Sequence, residues 1–207
     1  MLTQITHFHT DVFVENLNDC IEQNPALWLS IGIYEKEALI ASLGECVYDE
    51  LVSQLEYNED IKKYVLKEDS DEKWGWLLYG RTYDYDGHKV YSCGCGCSST
   101  NCKKISFDGI IQTYRLSDET TFERNYLAYY IYYNFKTINE SVTAGSGEQI
   151  INVQNAMHVY NKKKRYNAWN RYIDWREQLA NFLNHHKEHF PEANINCNLK
   201  RFNIYDV

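Results

Sequence analysis

Four cysteines lie between positions 93 and 102, and this cluster constrains the fold more than any other feature of the chain. Residues 88–104 read HKVYSCGCGCSSTNCKK. The candidate metal ligands are Cys93, Cys95, Cys97 and Cys102, with His88, Cys46 or Cys197 as alternatives for the fourth position. Glycines at 94 and 96 let the backbone wrap closely round an ion, and closely spaced thiolates after a β-hairpin are typical of small structural zinc sites. The segment therefore predicts a zinc loop, with an unliganded thiol loop, copper(I) binding or redox chemistry as alternatives.

The same stretch resembles the end of a SET methyltransferase domain and its post-SET zinc clip. In that family an Asp-Tyr pair is followed by Cys-x-Cys, four residues and a further Cys. The matching positions here are Asp84, Tyr85, Cys95, Cys97 and Cys102. The resemblance covers residues 82–104 and implies a zinc clip. The Asn-His-Ser-Cys segment and the cofactor-binding glycine pattern of those enzymes do not precede it, so we interpret the clip as convergent and do not expect methyl transfer.

The apolar pattern predicts an α+β fold with a central antiparallel sheet that carries the zinc loop, followed by a mainly helical C-terminal part. Expected strands are Ala26–Tyr34, a hairpin of Trp74–Tyr85 with His88–Tyr91 around Asp86-Gly87, a strand pair or bent strand over Ile105–Leu116, and an edge strand over Leu199–Val207. Expected helices are Glu35–Tyr57, one that begins at Ser117, Gln149–Tyr160 and Tyr166–Phe190.

The domain organisation follows from one glycine- and serine-containing segment. Residues 143–148 read TAGSGE and are the best linker in the chain. We therefore expect a mixed region over residues 1–142 with the β-hairpin and zinc loop, and a helical region over residues 149–207 packed on it. The N-terminus lacks the pattern of a signal peptide, and no apolar run is long enough to span a bilayer. The expected location is the cytoplasm.

Charge is distributed unevenly along the chain. The formal net charge is −8, but residues 1–73 carry 16 acids and 5 bases, whereas residues 149–207 carry 5 acids and 9 bases. Six acids on or after the first long helix are candidates for binding a basic partner. They are Glu45, Asp49, Glu50, Glu56, Glu59 and Asp60. Such a run of carboxylates imitates the charge of a nucleic-acid backbone, and the 18 tyrosines of the chain supply residues that favour interfaces.

These features favour a non-enzymatic interaction protein, of the kind that phages or mobile elements use to inhibit a host nucleic-acid-processing complex involved in defence. The chain has no nucleophile elbow, phosphate-binding glycine loop, dinucleotide fingerprint or kinase motif set.

Two alternatives come from other parts of the sequence. The first is a metal-dependent phosphoesterase-like enzyme that uses His7, His9 and Asp11, because a strand here would place both imidazoles on one face. The second is a nucleic-acid-binding module in the basic aromatic helix 162–176. Its basic residues are Lys162, Lys163, Lys164 and Arg165.

Overall fold

The computed structural model describes residues 1–14, 24–84, 104–115, 121–139, 141–144, 147–150, 161–195 and 199–203. Two short 3-10 turns, Ile5–His7 and Thr10–Val12, open the chain. The helices are α1 (Pro25–Leu43), α2 (Glu45–Ser53), α3 (Glu72–Tyr79), α4 (Leu127–Asn139) and α5 (Asn161–His185). The strands are β1 (Leu55–Asn58), β2 (Lys63–Leu66), β3 (Arg81–Asp84), β4 (Lys104–Phe107), β5 (Ile111–Arg115), β6 (Thr121–Asn125), β7 (Ser141–Ala144) and β8 (Gly147–Ile150).

The mixed α+β class is confirmed, but the strands do not join in one central sheet. The described strands form four separate antiparallel pairs, β1–β2, β3–β4, β5–β6 and β7–β8. Helix α4 packs against both α1 and α5, so the centre of the molecule is helical. No described helix has the length and apolar character needed to cross a bilayer.

The strand predicted over Ala26–Tyr34 is wrong, because these residues belong to α1. Asn24 caps the helix by accepting a hydrogen bond from the Leu27 backbone N–H at 3.2 Å, and Pro25 occupies the first turn. Leu27 and Ile31 are buried, while Ile33 is 52% exposed. The burial therefore follows a helical period, even though the apolar residues alternate in the sequence.

The helix predicted over Glu35–Tyr57 is divided. Gly44 has a φ of +86° and ends α1, after which α2 runs only to Ser53. A left-handed φ of this kind is accessible to glycine without strain, and it turns the chain sharply between the two helices. The next residues form β1, which pairs with β2 in register Leu55↔Leu66 to Asn58↔Lys63.

The predicted hairpin of Trp74–Tyr85 with His88–Tyr91 is also corrected. Residues 72–79 form α3, and β3 pairs with β4 in register Arg81↔Phe107 to Asp84↔Lys104. The Asp86-Gly87 turn, residues 88–91 and the cysteine cluster fall outside the described residues. Asp84 and Lys104, which flank this segment, therefore lie opposite each other.

The strand pair predicted over Ile105–Leu116 is not formed, because β4 and β5 belong to two different antiparallel pairs. Strand β4 pairs with β3, whereas β5 pairs with β6 in register Ile111↔Asn125 to Arg115↔Thr121. The helix predicted from Ser117 instead begins after β6, where the Asn125 side chain accepts a hydrogen bond from the Leu127 backbone N–H at 2.9 Å. Asn125 thus satisfies the first backbone N–H of α4 from within β6.

The C-terminal part departs from prediction at both of its ends. Strands β7 and β8 lie where the linker over residues 143–148 was expected, and β8 replaces the start of the helix expected from Gln149. Helix α5 covers Asn161–His185 instead of Tyr166–Phe190, and residues 199–203 are not in a strand. The division into regions 1–142 and 149–207 stays a prediction.

Helix α5 joins the rest of the protein through buried aromatic residues. Trp175 is fully buried, stacks on Tyr126 with ring centroids 5.8 Å apart, and donates from Nε1 to the Gly109 carbonyl at 2.8 Å. The Tyr172 hydroxyl pairs with Ser42 Oγ of α1 at 3.1 Å. Much of the tyrosine content therefore serves the core, where each ring buries a large area and its polar group finds a partner.

Candidate interaction surface

Helix α2 carries three of the six candidate partner-binding carboxylates. Glu45 lies in the first turn, Asp49 follows four residues later on the same face, and Glu50 lies beside it. All three are exposed. The helix buries Val47 and Leu51 against the core, so its carboxylates remain in contact with solvent.

The other three carboxylates, Glu56, Glu59 and Asp60, are exposed on the hairpin of β1 and β2. The side chain of Asn58 fixes the turn, because its Oδ1 accepts hydrogen bonds from the backbone N–H groups of Asp60 at 3.0 Å and Ile61 at 3.2 Å. The turn thus holds Glu59 and Asp60 in a defined backbone conformation at the tip of the hairpin.

Two tyrosines pair across this hairpin. Tyr57 lies opposite Tyr64, and their rings meet edge to face with centroids 5.3 Å apart. The two residues are 45% and 40% exposed, and Ile61 in the turn is also exposed. We call these three residues together with the six carboxylates the acidic surface. Sequence reasoning missed Tyr57, Ile61 and Tyr64, although the short alternating runs on either side of Asn58 are a hairpin signal.

Nearby lysines neutralise little of the acidic surface. Among the ion pairs between described residues, one involves it: Lys73 Nζ lies 3.7 Å from Glu50 Oε2. Lys63 Nζ contacts Glu123 Oε2 at 2.6 Å, and Lys67 Nζ donates to the Ser53 carbonyl at 2.6 Å. Residues 45–66 contain six acids and two lysines, so the segment has a net charge of −4.

The candidate metal ligands of the N-terminus have separate partners. His7, His9 and Asp11 lie in and between two 3-10 turns, so the strand on which the enzyme alternative depended is not formed. His9 Nε2 bonds to the Glu123 carbonyl at 2.9 Å, and Asp11 Oδ2 accepts from the Tyr129 hydroxyl at 3.5 Å. Within the described ranges, no group of three or more His, Cys, Asp or Glu residues could hold a metal ion.

His7 takes part in a small charged cluster with β2 and β6. It is buried, its Nδ1 accepts from the Gln4 backbone N–H at 3.0 Å, and its Nε2 lies 3.4 Å from Glu123 Oε2. The hydrogen bond from His7, together with the Lys63 ammonium at 2.6 Å, lowers the pKa of Glu123 to about 2, although partial burial acts in the opposite direction. This cluster fastens the N-terminal turns to two strands.

The basic aromatic helix presents its lysines but not its rings. Lys162, Lys163 and Lys164 are exposed, and Arg165 is half-buried. The rings have other contacts: Tyr166 stacks on Phe202 with centroids 4.3 Å apart, and Trp169 Nε1 donates to the Lys200 carbonyl at 2.9 Å. Tyr172 and Trp175 are in the core. The aromatic rings of this helix therefore pack against the protein.

The cysteine cluster lies outside the part of the chain that the structure describes. Cys93, Cys95, Cys97, Cys102 and His88 lie outside the described residues, as does Cys197, while Cys46 is a free, exposed thiol on α2. The zinc loop and its ligand set therefore stay a prediction.

Comparisons with protein-family models, with curated proteins and with solved structures find no match to this chain.

Proposed function

We propose that this protein binds a basic surface of a nucleic-acid-processing complex and, by occupying it, inhibits that complex without catalysing a reaction. The observation that carries the proposal is that all six candidate carboxylates are exposed on α2 and on the following β1–β2 hairpin, which also carries an exposed tyrosine pair. The setting in which we expect it to act, a phage or mobile element against a host defence complex, rests on the same charge profile.

The acidic surface combines two properties of a specific interface. Its carboxylates attract a basic partner over a distance and speed the encounter. Tyr57 and Tyr64 can bury rigid aromatic area once contact is made, and such residues often dominate the binding energy. Asn58 holds the turn between the strands that carry these rings, so little conformational entropy is lost at this site on binding.

Affinity purification from the native host, followed by mass spectrometry, identifies the partner. The decisive variant is Glu56→Lys/Glu59→Lys/Asp60→Lys, which reverses three exposed charges of the hairpin. We expect it to slow association at low salt at least tenfold, because the long-range attraction is reversed. Adding nucleic acid should displace the wild-type protein, since both compete for one basic cleft.

The matched control is Glu188→Lys/Glu192→Lys, which reverses exposed charges after α5. It should bind as the wild type does once the difference in total charge is allowed for. The proposal is wrong if the hairpin variant and the control bind the partner equally, or if nucleic acid and this protein bind the partner together without competition.

The exposed lysines of α5 support a competing proposal, direct binding of nucleic acid. Charge reversal of Lys162 and Lys163 separates the two: direct binding requires that the protein alone retains RNA or DNA at low salt and loses it in this variant. The His7, His9 and Asp11 alternative gains no support from the geometry, because these residues lie in two 3-10 turns rather than on one strand face and their side chains contact different groups.

We also propose that Cys93, Cys95, Cys97 and Cys102 hold a structural zinc ion, with His88 as the alternative ligand. The pairing of Asp84 with Lys104 supports this, since it brings the two ends of the cysteine-containing segment together. Elemental analysis of protein purified without chelator should give one zinc per chain, and Cys95→Ser/Cys97→Ser should lower the ratio. A wild-type ratio near zero contradicts the proposal.

A further inference from the structure

A polar cleft lies on the side of α5 that faces the N-terminal turns. It has a volume of about 510 Å³ and is partly open to solvent. Thr10 and Asp11 form one wall, and α5 forms the other with Lys164, Asn167, Arg171 and Asp174. Spacings of three, four and three residues place these four side chains along one face of the helix. A rigid element therefore presents the polar groups in a fixed order.

The C-terminal segment holds the remaining side of the cleft in place. Asn170 donates from Nδ2 to the Phe202 carbonyl at 2.8 Å and accepts from the Phe202 backbone N–H at 2.9 Å. Arg201 lies 2.8 Å from both Asp174 Oδ1 and Glu177 Oε2. These contacts occupy Asn170 and Arg201, and they fix the position of Asp174.

Two cations of the cleft are less constrained. Within the described part of the chain, Lys164 and Arg171 make no hydrogen bond or close ion pair and both are exposed, although the charge of Arg171 also acts on Asp174. A lysine and an arginine beside amide and hydroxyl donors are the groups that proteins use to bind phosphate, since the guanidinium can take two phosphate oxygens at once. The cleft can therefore accept an anion.

The opposite wall contains a residue in an unfavourable backbone conformation. Thr10 has a φ of +52°, in the left-handed region, where a β-branched residue is rare. Hydrogen bonds of the 3-10 turn hold it there, from Val12 N–H to the His9 carbonyl at 3.2 Å and from Phe13 N–H to the Thr10 carbonyl at 3.4 Å. Strain of this kind is often found at functional sites.

The lining also indicates the class of ligand. Every lining residue carries a polar side chain, and none is an aromatic or aliphatic residue, although the stems of Lys164, Arg171 and Arg201 add apolar area. A nucleobase or a hydrophobic cofactor needs a wall of aromatic or aliphatic residues, whereas a sugar needs hydrogen-bond acceptors for its hydroxyl groups. Asp11, Asp174 and Asn167 supply them.

We propose that this cleft binds a small phosphorylated sugar, with the phosphate between Lys164 and Arg171 and the hydroxyl groups on Asp11, Asp174 and Asn167. This site is separate from the acidic surface and does not depend on the function proposed for that surface.

Thermal unfolding with ribose 5-phosphate, glucose 1-phosphate, glucose 6-phosphate and fructose 1,6-bisphosphate tests the proposal. At 100 times its Kd, a bound sugar phosphate should raise the Tm by about 5 to 10 °C. Titration calorimetry should then show binding at least tenfold tighter than that of the parent sugar or of inorganic phosphate. If no compound of the panel binds, or if inorganic phosphate binds equally well, the proposal is wrong.

The variant Lys164→Glu/Arg171→Glu should lose at least tenfold in affinity, while Lys162→Glu/Lys163→Glu, on the same helix but outside the cleft, should not. Because all four side chains are exposed, circular dichroism should show the wild-type fold in both. Equal loss in both variants would assign the binding to general positive charge and overturn the site. Glu59→Lys/Asp60→Lys should leave sugar-phosphate affinity unchanged, which separates this test from that of the acidic surface.

Discussion

The charged cluster around Glu123 should make the protein less stable in acid, and one substitution tests this. The Glu123 carboxylate accepts hydrogen bonds from the His7 and Lys63 side chains, which lower its pKa to about 2. A folded-state pKa below the ordinary value of 4.5 means that ionised Glu123 stabilises the fold above about pH 4.5, and that this stabilisation is lost as the pH falls towards 2.

The shift would correspond to about 3.4 kcal/mol if it were fully expressed, at about 1.36 kcal/mol for each pKa unit. The Glu123 side chain is 31% exposed and that of Lys63 is 35% exposed, so solvent screening reduces this, and we expect about half. Between pH 5 and pH 3 the ionised carboxylate should then lose about 1 kcal/mol of its contribution.

Urea unfolding of the wild type and Glu123→Gln at pH 5 and pH 3 measures this effect. The difference in unfolding free energy between the two proteins should shrink by about 1 kcal/mol at the lower pH. Glu68→Gln, at an exposed position outside the cluster, should show no such change. A difference for Glu123→Gln that stays constant or grows on acidification would refute the assignment of the low pKa to this cluster.

Two matched pairs of substitutions test the fold. Ile31→Ala should lower the free energy of unfolding by about 2 to 5 kcal/mol and Ile33→Ala by less than about 0.5 kcal/mol, because Ile31 is 0% and Ile33 52% exposed. Equal losses in chemical denaturation would contradict the helical register of α1. Gly109→Ala should cost at least about 3 kcal/mol, because Gly109 has a φ of +77° and its added Cβ would meet the backbone near Gly80. Gly75→Ala, in α3 with open space around it, should instead stabilise the protein by about 0.5 to 1 kcal/mol in the same assay.

Residues 26–34 show why an apolar pattern alone misleads. Leu27, Leu29, Ile31 and Ile33 alternate as in a buried strand, but Leu29 and Ile33 are exposed and do not contribute to the core. The preceding Asn24-Pro25 pair is a helix-start signal of the kind that sequence reasoning can use, and it would have corrected the assignment. Intrinsic pattern and capping disagreed here, and capping was the better guide.

Strand pairing could have been predicted only where the partners are close in sequence, and the helices predicted over Glu35–Tyr57 and from Ser117 missed even these local pairs. The hairpin of β1 and β2 has a turn of four residues fixed by Asn58, so its signal is local. Strand β3 instead pairs with β4, which begins at Lys104. The sequence between the two strands contains no signal that indicates a partner so far along the chain. The assignment of Ser117 as a helix cap failed for a related reason, since β6 uses the following residues to pair with β5.

The candidate sites also differ in how far the sequence predicts them. Exposure of the six carboxylates followed from their charge, because an unpaired carboxylate is costly to bury. The tyrosine pair of the hairpin needed the register of β1 and β2, which places Tyr57 opposite Tyr64. The polar cleft was beyond sequence reasoning, since Thr10, Arg171 and Arg201 come from distant parts of the chain and meet only in the folded protein.

The pairing of Asp84 with Lys104 has a consequence for how the protein can vary. The 19 residues from 85 to 103 connect two strand ends that the fold already holds side by side. Loop-closure entropy grows only with the logarithm of loop length, so replacing these residues by a two-residue turn would change that entropy by about 2 kcal/mol in favour of folding. The position can therefore accept insertions, deletions or an exchanged metal-binding segment at small entropic cost, so evolution can alter the cysteine cluster without redesigning the body that carries it.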